Sequence, residues 1–321
     1  MSPGGGALLV VGDVVTDIVA RHRTPPLPGT DTAAAIRTVP GGAGANVACW
    51  AAAWGCRDVR LLGRVGADSA AWHEEALTRA GVRSRLVVDS EAPTGTVICL
   101  VDGGGGGRAE RTFLTDSGAS LRLSGTDWSP SLLEGVGWLH LSGYLFFAEP
   151  SREVARKALA AARARGIPVS VDPASAGFLG ELGAGRFLAA TEGVEVLLPS
   201  EGEVEVLGLA GAPGAGAVDG LGPVDAADVS WLAEAAARLS RRYPVVVVKR
   251  GAAGAVVALG GEVRAEIPAL PAAARDTTGA GDAFTGAFLA SRLSGAGLCE
   301  AAAEGCRAGA RAVELVGGRP A

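Results

Sequence analysis

A glycine-rich segment near the end of the chain carries the residues best suited to chemistry. Residues 276–282 read DTTGAGD, and an apolar pattern of helical period follows them. Small residues let a ligand approach the backbone, and the free N–H groups at the start of a helix attract anions. A carboxylate there repels a bound phosphate, yet it can accept the proton of an attacking hydroxyl. The segment therefore predicts phosphoryl transfer to an alcohol, with Asp282 as the base.

Asp282 also has a simpler interpretation. An aspartate at the start of a helix is a common N-cap, in which the carboxylate accepts backbone N–H groups. The residue types in this segment favour neither the catalytic nor the capping role, so a second motif is needed to choose between them.

The composition indicates a globular protein that acts on small molecules. The chain has 321 residues, 48% of them hydrophobic, which is enough to bury a substantial core. Its formal net charge of -5 argues against binding to nucleic acid or to an anionic membrane surface, since both require a basic face. We expect small-molecule partners only.

The cysteines and the N-terminus indicate a cytoplasmic protein. The five cysteines show no CxxC pair and no zinc-like spacing, so we expect scattered buried thiols in a reducing compartment. The first apolar run, residues 7–11, is short and follows no basic segment. It fits neither a signal peptide nor a membrane anchor.

Short β-branched runs alternate with alanine-rich segments of helical length. This rhythm predicts βαβ units and a parallel sheet covered by helices on both faces. The predicted strands are 8–11, 59–65, 137–141, 168–171, 194–198 and 244–249, and the predicted helices are 45–54, 69–80, 151–165 and 226–241.

Two stretches interrupt this rhythm, at residues 14–40 and 84–117. Their alternating patterns and turn residues predict antiparallel strands, with the glycine run 103–107 as a flexible hairpin tip. We expect a small β-sheet that acts as a lid over a ligand crevice, although a plain edge hairpin without movement also fits. The lid would then comprise 14–40 and 84–117, and an α/β core with the catalytic site would comprise 1–13, 41–83 and 118–321.

A second glycine motif decides how the first is interpreted. Residues 41–46 read GGAGAN and open a predicted helix, and Asp17 follows the first strand. With DTTGAGDAF near the C-terminus, this pair of motifs resembles the ribokinase, or PfkB, family of carbohydrate kinases over essentially the whole chain. The resemblance implies a ribokinase-like doubly wound α/β sheet flanked by helices, with a small β-sheet lid over the sugar site.

The resemblance also implies roles for individual residues. Asp282 matches the catalytic base, and the family's anion hole corresponds to Gly279, Ala280 and Gly281. The residues that match substrate contacts are Asp17, Gly42, Asn46 and Tyr144. Carboxylate and amide groups suit hydroxyl ligands, whereas Tyr144 fits equally well as a half-buried tyrosine at a strand end.

The nucleotide site is implied by two further segments. Lys249, Gly251 and Gly254 resemble the family's ATP loop, although lysines at strand ends are more often simply exposed. Residues 200–203 resemble an Asn-x-x-Glu segment that organises Mg²⁺ through water. Glu203 is present, but Ser200 replaces the asparagine and has a shorter reach.

The resemblance implies a monovalent cation as well. Asp276 and Thr278, with backbone groups near Ala312, Leu315 and Gly317, match the family's cation loop, so we expect K⁺ beside ATP and Mg²⁺. A simple turn aspartate is the alternative for Asp276. Because pairing of two lids would cover an exposed sheet face, we also expect a homodimer through the lid.

Other nucleotide-binding classes lack support in the sequence. There is no GxxxxGK[ST] loop, no HRD or DFG set, and no GxGxxG after the first strand. Ala43 stands where ribokinases usually carry lysine, which disfavours ribose. Fructose, 2-keto-3-deoxygluconate and a nucleoside such as pseudouridine remain candidates, as does a catalytically weakened sugar-binding protein of the same fold.

Overall fold

The computed structural model describes residues 5–102, 111–209 and 230–320. The predicted hairpin tip 103–107 and the first part of the predicted helix 226–241 lie outside these ranges. The described strands are β1 (Ala7–Val11), β2 (Val15–His22), β3 (Ala34–Gly41), β4 (Val59–Gly66), β5 (Val82–Asp89), β6 (Thr94–Asp102), β7 (Arg111–Gly118), β8 (Val136–Ser142), β9 (Val169–Asp172), β10 (Val196–Leu197), β11 (Val245–Lys249), β12 (Ala255–Leu259) and β13 (Glu262–Ile267). The described helices are α1 (Ala43–Ala53), α2 (Ala70–Arg79), α3 (Glu149–Ala164), α4 (Ala176–Leu182), α5 (Ala184–Ala190), α6 (Glu201–Leu209), α7 (Ser230–Leu239), α8 (Ala280–Leu293) and α9 (Leu298–Ala312).

The large sheet has the strand order β13-β12-β11-β10-β9-β8-β1-β4-β5. Neighbours from β11 to β5 pair in parallel, whereas β12 and β13 add antiparallel strands at one edge. The expected parallel sheet therefore carries two antiparallel strands at this edge. Only a few residues separate β11, β12 and β13, which is too short for the crossover that a parallel pair requires.

Helices cover both faces of this sheet, as the alternation of strands and helices predicted. Successive side chains of β1 point to opposite faces, so Leu9 and Val11 join one buried cluster and Leu8 and Val10 join the other. The first cluster includes residues of α3 to α7, and the second includes residues of α1, α2, α8 and α9. Burial on both faces explains why these strands are almost entirely apolar.

A separate small sheet has the order β3-β2-β6-β7, in which only β2 and β6 pair in parallel. The predicted excursion from the core therefore exists. Residues 84–89, however, belong to β5, which pairs with β4 in the large sheet. An edge strand is half exposed, so its polar and apolar residues alternate like those of the small sheet, and this similarity caused the error.

The large sheet reverses its direction of growth beside β1. The chain proceeds from β1 to β4 and β5 on one side, then returns to β8, β9, β10 and β11 on the other. Such a switch point leaves a crevice at the carboxyl ends of the strands, where ligands bind in open α/β sheets. The side chains at this edge include Asp13, Ser142, Asp172, Ser200 and Lys249.

The cysteines differ in burial. All five cysteines are free; three are buried, Cys56 is half buried and Cys299 is exposed, so the expectation of uniformly buried thiols is wrong for Cys299. Among the described helices, none combines the length and the apolar character needed to cross a bilayer.

Candidate active site

Most of the residues singled out from the sequence line one cavity of about 660 Å³ at this crevice. They are Asp17, Gly42, Asn46, Tyr144, Ser200, Glu203, Lys249, Gly251, Thr278, Gly279, Gly281 and Asp282. Ala280, Gly254 and Asp276 do not line it, and each lies within two or three residues of one that does. The two glycine motifs, more than 230 residues apart in the chain, therefore meet in space.

Asp282 lies at the start of α8 but does not cap it. The N-cap is Gly279, whose φ of 72° is left-handed, and Asp282 is the third residue of the helix. The Asp282 carboxylate instead accepts a hydrogen bond from Asn46 Nδ2 at 2.8 Å. The N-cap interpretation of Asp282 is therefore not supported, and the carboxylate is turned toward the other glycine motif.

The environment of Asp282 shifts its pKa upward. Burial raises the pKa to about 7, the Asn46 hydrogen bond and Lys249 lower it, and the Asp172 and Asp13 carboxylates raise it. The carboxyl group borders the cavity, yet protein atoms shield it from bulk water, so burial prevails. A carboxylate with a pKa near the working pH is well suited to accept a proton.

Asn46 also accepts a hydrogen bond from Arg319, a residue that the sequence analysis did not identify. Arg319 Nε donates to Asn46 Oδ1 at 3.3 Å, and Arg319 Nη2 donates to the Gly41 carbonyl at 2.8 Å. Because the guanidinium group is a donor only, it fixes the amide with Nδ2 toward Asp282.

Asp17 reaches the cavity from β2 and is 6% exposed. Burial raises its pKa to about 7, Arg319 opposes this shift, and the Asp13 and Asp276 carboxylates add to it. Gly41 makes room for the carboxyl group, because a Cβ at that position would lie 2.2 Å from Asp17. Gly41, the first residue of the GGAGAN motif, is therefore needed for the close approach of β3 to Asp17.

Asp13 organises the other glycine motif. Its carboxylate accepts N–H groups from Ala43 at 2.7 Å and Gly44 at 3.1 Å, and it accepts the Ser142 hydroxyl at 2.8 Å. Asp13, which follows β1, therefore satisfies two free N–H donors at the start of α1. The sequence analysis did not single out Asp13, although a carboxylate just after the first buried strand was a usable signal.

Lys249 is buried in the cavity wall rather than exposed. Its side chain is 12% exposed and forms an ion pair with Asp172, whose Oδ2 also accepts the Thr285 hydroxyl at 2.8 Å. Burial alone would lower the Lys249 pKa, but the Asp172 and Glu203 carboxylates outweigh it and raise the pKa. A Cβ on Gly281 would lie 3.4 Å from Lys249 Nζ, so this charge stands beside the turn at residues 279–281, which we call the anion turn.

Asp172 was missed because nothing local distinguishes it. It ends β9, and its partner Lys249 lies 77 residues further along the chain. Only the parallel register of β9, β10 and β11 brings the two together.

Ser200 and Glu203 form a capping box at the start of α6. Glu203 Oε2 accepts the Ser200 N–H at 2.8 Å, and Ser200 Oγ accepts the Glu203 N–H at 3.4 Å. Burial raises the pKa of Glu203. Serine therefore caps α6, as an asparagine at this position also could.

The segment after β11 makes the turn that its glycines predicted. Gly251 and Gly254 both have positive φ, and Arg250 N donates to the Gly254 carbonyl at 2.8 Å. No atom would lie within 4 Å of a Cβ on Gly251, whereas a Cβ on Gly254 would meet the Ile267 carbonyl at 1.9 Å. Gly251 thus presents open backbone to the cavity, and Gly254 packs the turn against β13.

Tyr144 lies in an aromatic group at the cavity wall. Its ring makes edge contacts with Phe147 at 5.8 Å and Phe178 at 5.9 Å between centroids. Burial raises the pKa of the Tyr144 hydroxyl. Phe178 and Phe113 also line the cavity, so the site combines apolar rings with its carboxylates.

Asp276 ties the anion turn to the C-terminal segment. Its Oδ1 accepts Thr278 N at 2.9 Å and Thr278 Oγ1 at 2.6 Å, while its Oδ2 accepts Gly317 N at 3.0 Å. The backbone N–H of Asp276 donates to the Val313 carbonyl. The two segments of the expected cation loop are therefore adjacent.

The donor groups fit Mg²⁺-ATP better than a metal held by protein alone. Among the described residues, no three His, Cys, Asp or Glu side chains are grouped to hold a metal ion. Asp172 and Glu203 nevertheless line the cavity beside Lys249. Mg²⁺ commonly keeps its waters and binds through one or two carboxylates and the phosphates of a nucleotide, which this arrangement allows.

Comparison with known proteins agrees with this geometry. A fructokinase from Klebsiella pneumoniae is 32% identical over 297 residues, covering 89% of this chain and 84% of the relative. An adenosine kinase from Sinorhizobium meliloti superposes with a TM-score of 0.80 at 21% identity, covering 99% of this chain and 96% of the other. A ribokinase II-like protein from E. coli, solved with ATP and Mg²⁺, superposes with a TM-score of 0.78 at 24% identity. The superposition covers 98% of this chain and 94% of the other.

The family assignment extends over almost the whole sequence. Residues 7–321 match the pfkB family carbohydrate kinase profile. This chain therefore belongs to the pfkB family of carbohydrate kinases.

Proposed function

We propose that this carbohydrate kinase transfers the γ-phosphate of ATP to a hydroxyl group of a small sugar, with Asp282 as the base. The observation that carries the proposal is the position of the Asp282 carboxylate. It lies at the N-terminus of α8, hydrogen-bonded to Asn46 and close to Lys249, in the cavity that Asp17 also lines. A proton acceptor, an anion site and hydroxyl-binding groups thus share one cavity.

Each group has a definite task in this reaction. Asp17 and Asn46 accept or donate hydrogen bonds to sugar hydroxyls and orient the attacking oxygen toward Asp282. Asp282 takes the hydroxyl proton as the new O–P bond forms and the bond from the γ-phosphorus to the β–γ bridging oxygen breaks, so that ADP leaves. The backbone N–H groups of Gly279 to Gly281 and the Lys249 ammonium stabilise the negative charge on the transferring phosphoryl oxygens.

The nucleotide is expected along Gly251, Ser200 and Glu203. When bound, Mg²⁺-ATP supplies the phosphoryl group, and Mg²⁺ neutralises part of the phosphate charge. Glu203 would hold Mg²⁺ through water, and the open backbone at Gly251 would allow the nucleotide to approach closely.

Fructose is the substrate that the similarity favours. The fructokinase relative is 32% identical over most of both chains, whereas the structural neighbours reported above are less than 25% identical. Release of ADP should be measured with fructose, ribose, 2-keto-3-deoxygluconate, adenosine and pseudouridine. We expect the highest kcat/KM with fructose. A higher value with a nucleoside would mean that the substrate is a nucleoside and not a sugar. No turnover with any of these compounds would contradict the kinase proposal.

The pH profile should show the titration of Asp282. Only the ionised carboxylate can accept a proton, and its pKa is raised to about 7. We therefore expect kcat/KM to fall as the pH decreases below about 7 and to level off above about 8. Asp17 titrates in the same range, so Asp17→Asn is the control: its lower activity should retain the same fall toward low pH.

Potassium should increase the rate. A monovalent cation between Asp276, Thr278 and the 312–317 segment would fix the geometry of the anion turn, whose two parts already contact each other through Gly317. We expect higher turnover in K⁺ than in Na⁺ or Li⁺ at equal ionic strength. The same rate after exhaustive removal of monovalent metal ions would contradict this expectation.

The small sheet is proposed to act as the lid. Asp17, Val97 and Phe113 line the cavity from this sheet, so movement of the sheet would open or close the sugar site. Hydrogen exchange in β2 and β6 should slow when sugar and a nucleotide analogue saturate the enzyme, and unchanged exchange would exclude closure.

Ile36 and Leu114 are exposed on the small sheet, which is the basis for proposing a homodimer through this sheet.

A further inference from the structure

A second cavity lies beside the sugar site, between the small sheet and the C-terminal segment. It measures about 590 Å³. One wall consists of β2 and β3, the other of Arg275 and residues 314–320. We call it the arginine cleft, because its lining includes Arg21, Arg37, Arg275 and Arg319.

The arginines of this cleft lack ion-pair partners within the described part of the chain, although Arg319 interacts at longer range with the Asp17 and Asp13 carboxylates. None of its four arginines forms an ion pair there with an aspartate or glutamate. Glu314 is the one acidic residue among the lining residues. Arg21 donates instead to the Arg275 carbonyl.

Arg319 supplies a second observation at the inner end of the cleft. Its Nε and Nη2 are engaged by Asn46 and Gly41, but Nη1 is buried and has no hydrogen-bond partner among the described residues. A buried, unsatisfied guanidinium donor is costly, and an anion in the cleft would remove that cost after a movement of the wall that exposes Nη1. This donor therefore indicates a missing acceptor.

We propose that the arginine cleft binds a small polyanion that carries two or more phosphate or carboxylate groups. Guanidinium groups recognise both kinds of anion through paired N–H donors. Arg21 and Arg37 stand on the small sheet, whereas Arg275 and Arg319 stand on the core. An anion with two charged groups can contact arginines on both walls at once. An ion with a single charged group does so less well.

The cleft is distinct from the phosphate end of the active site. Arg21, Arg37, Arg275 and Arg319 do not line the main cavity, and the cleft lining includes neither Asp282 nor Lys249, although it shares Leu315 and Gly317 with the segment proposed to hold the monovalent cation. The proposal therefore does not depend on the kinase activity. Arg319 is unsuitable for a test because it holds Asn46, so the exposed residues Arg37 and Arg275 are used.

Inorganic pyrophosphate is a suitable probe, titrated calorimetrically at low salt into the full chain, into Arg37→Ala and into Arg275→Ala. The control is Arg264→Ala, which removes an arginine that is 57% exposed on β13, in a different sheet from Arg37. We expect one binding event that each cleft variant weakens about tenfold or more, as loss of a charge-assisted hydrogen bond predicts. Arg264→Ala should bind as the parent does.

Thermal unfolding provides a second reading of the same site. Pyrophosphate should raise the Tm of the parent and of Arg264→Ala more than that of either cleft variant, because a ligand stabilises the state that binds it. Identical titrations for all four proteins would assign pyrophosphate to the main cavity and overturn the proposal. Absence of binding up to about 10 mM, weaker than ordinary non-covalent recognition, would overturn it as well.

Discussion

Asp282→Asn should lower turnover by roughly a hundredfold to ten-thousandfold, the usual contribution of a positioned proton acceptor. The amide has the shape of the carboxyl group, and its oxygen can still accept from Asn46, but it cannot take a proton. Steady-state turnover with saturating ATP and sugar measures the effect. Affinity for the sugar should survive in part, because Asp17 and Asn46 remain.

Stability provides the control for this variant. The folded-state pKa of Asp282 is raised from 3.8 to about 7. The carboxyl group therefore makes the protein less stable as the pH rises from the pKa of the unfolded state through the pKa of the folded state. Asp282→Asn removes this penalty, so its Tm at pH 8 should equal or exceed that of the parent. A folded variant that keeps more than about a tenth of parental turnover would rule out Asp282 as the base.

Lys249→Met should have the second-largest effect. It removes the positive charge beside the anion turn and leaves Asp172 buried without its partner. Breaking a buried ion pair costs about 3–5 kcal/mol, and losing a stabilising charge at the transferring group costs roughly a hundredfold to a thousandfold in turnover. Denaturant unfolding and turnover measure the two losses separately.

The chain contains a matched control for this change, because Lys157 is its other lysine. Lys157 is 40% exposed on α3 and pairs with Glu153 at the surface, so Lys157→Met should change stability by less than about 1 kcal/mol and leave turnover unchanged. The double variant Asp172→Asn, Lys249→Met should regain much of the lost stability and none of the turnover. Recovery of both would mean that Lys249 has only a structural role.

The sequence predicted the elements whose pattern is strong. The valines of β11 and the apolar residues of β1 and β8 are buried on both faces of the sheet, and continuous apolar runs reveal such strands. β5 was assigned to the wrong sheet because an edge strand is half exposed and alternates like a strand of the small sheet. Local pattern does not distinguish which sheet an alternating strand joins.

The site was predictable to the extent that its motifs are local. The GGAGAN and DTTGAGD segments each place a glycine turn before a helix, and both turns border the cavity. Asp172 and Arg319 were missed because their importance arises from partners distant in the sequence. The burial of Lys249 was missed for the same reason, since only its pairing with Asp172 makes a lysine tolerable inside the cavity wall.

The most direct test of this account follows the γ-phosphate itself. The parent and Asp282→Asn are incubated with γ-labelled ATP, Mg²⁺, K⁺ and fructose, and labelled sugar phosphate is separated from inorganic phosphate and ATP. We expect the parent to transfer label to the sugar, and Asp282→Asn to do so at least about a hundredfold more slowly. Label that appears only as inorganic phosphate, or equally fast on the sugar with both proteins, would contradict it.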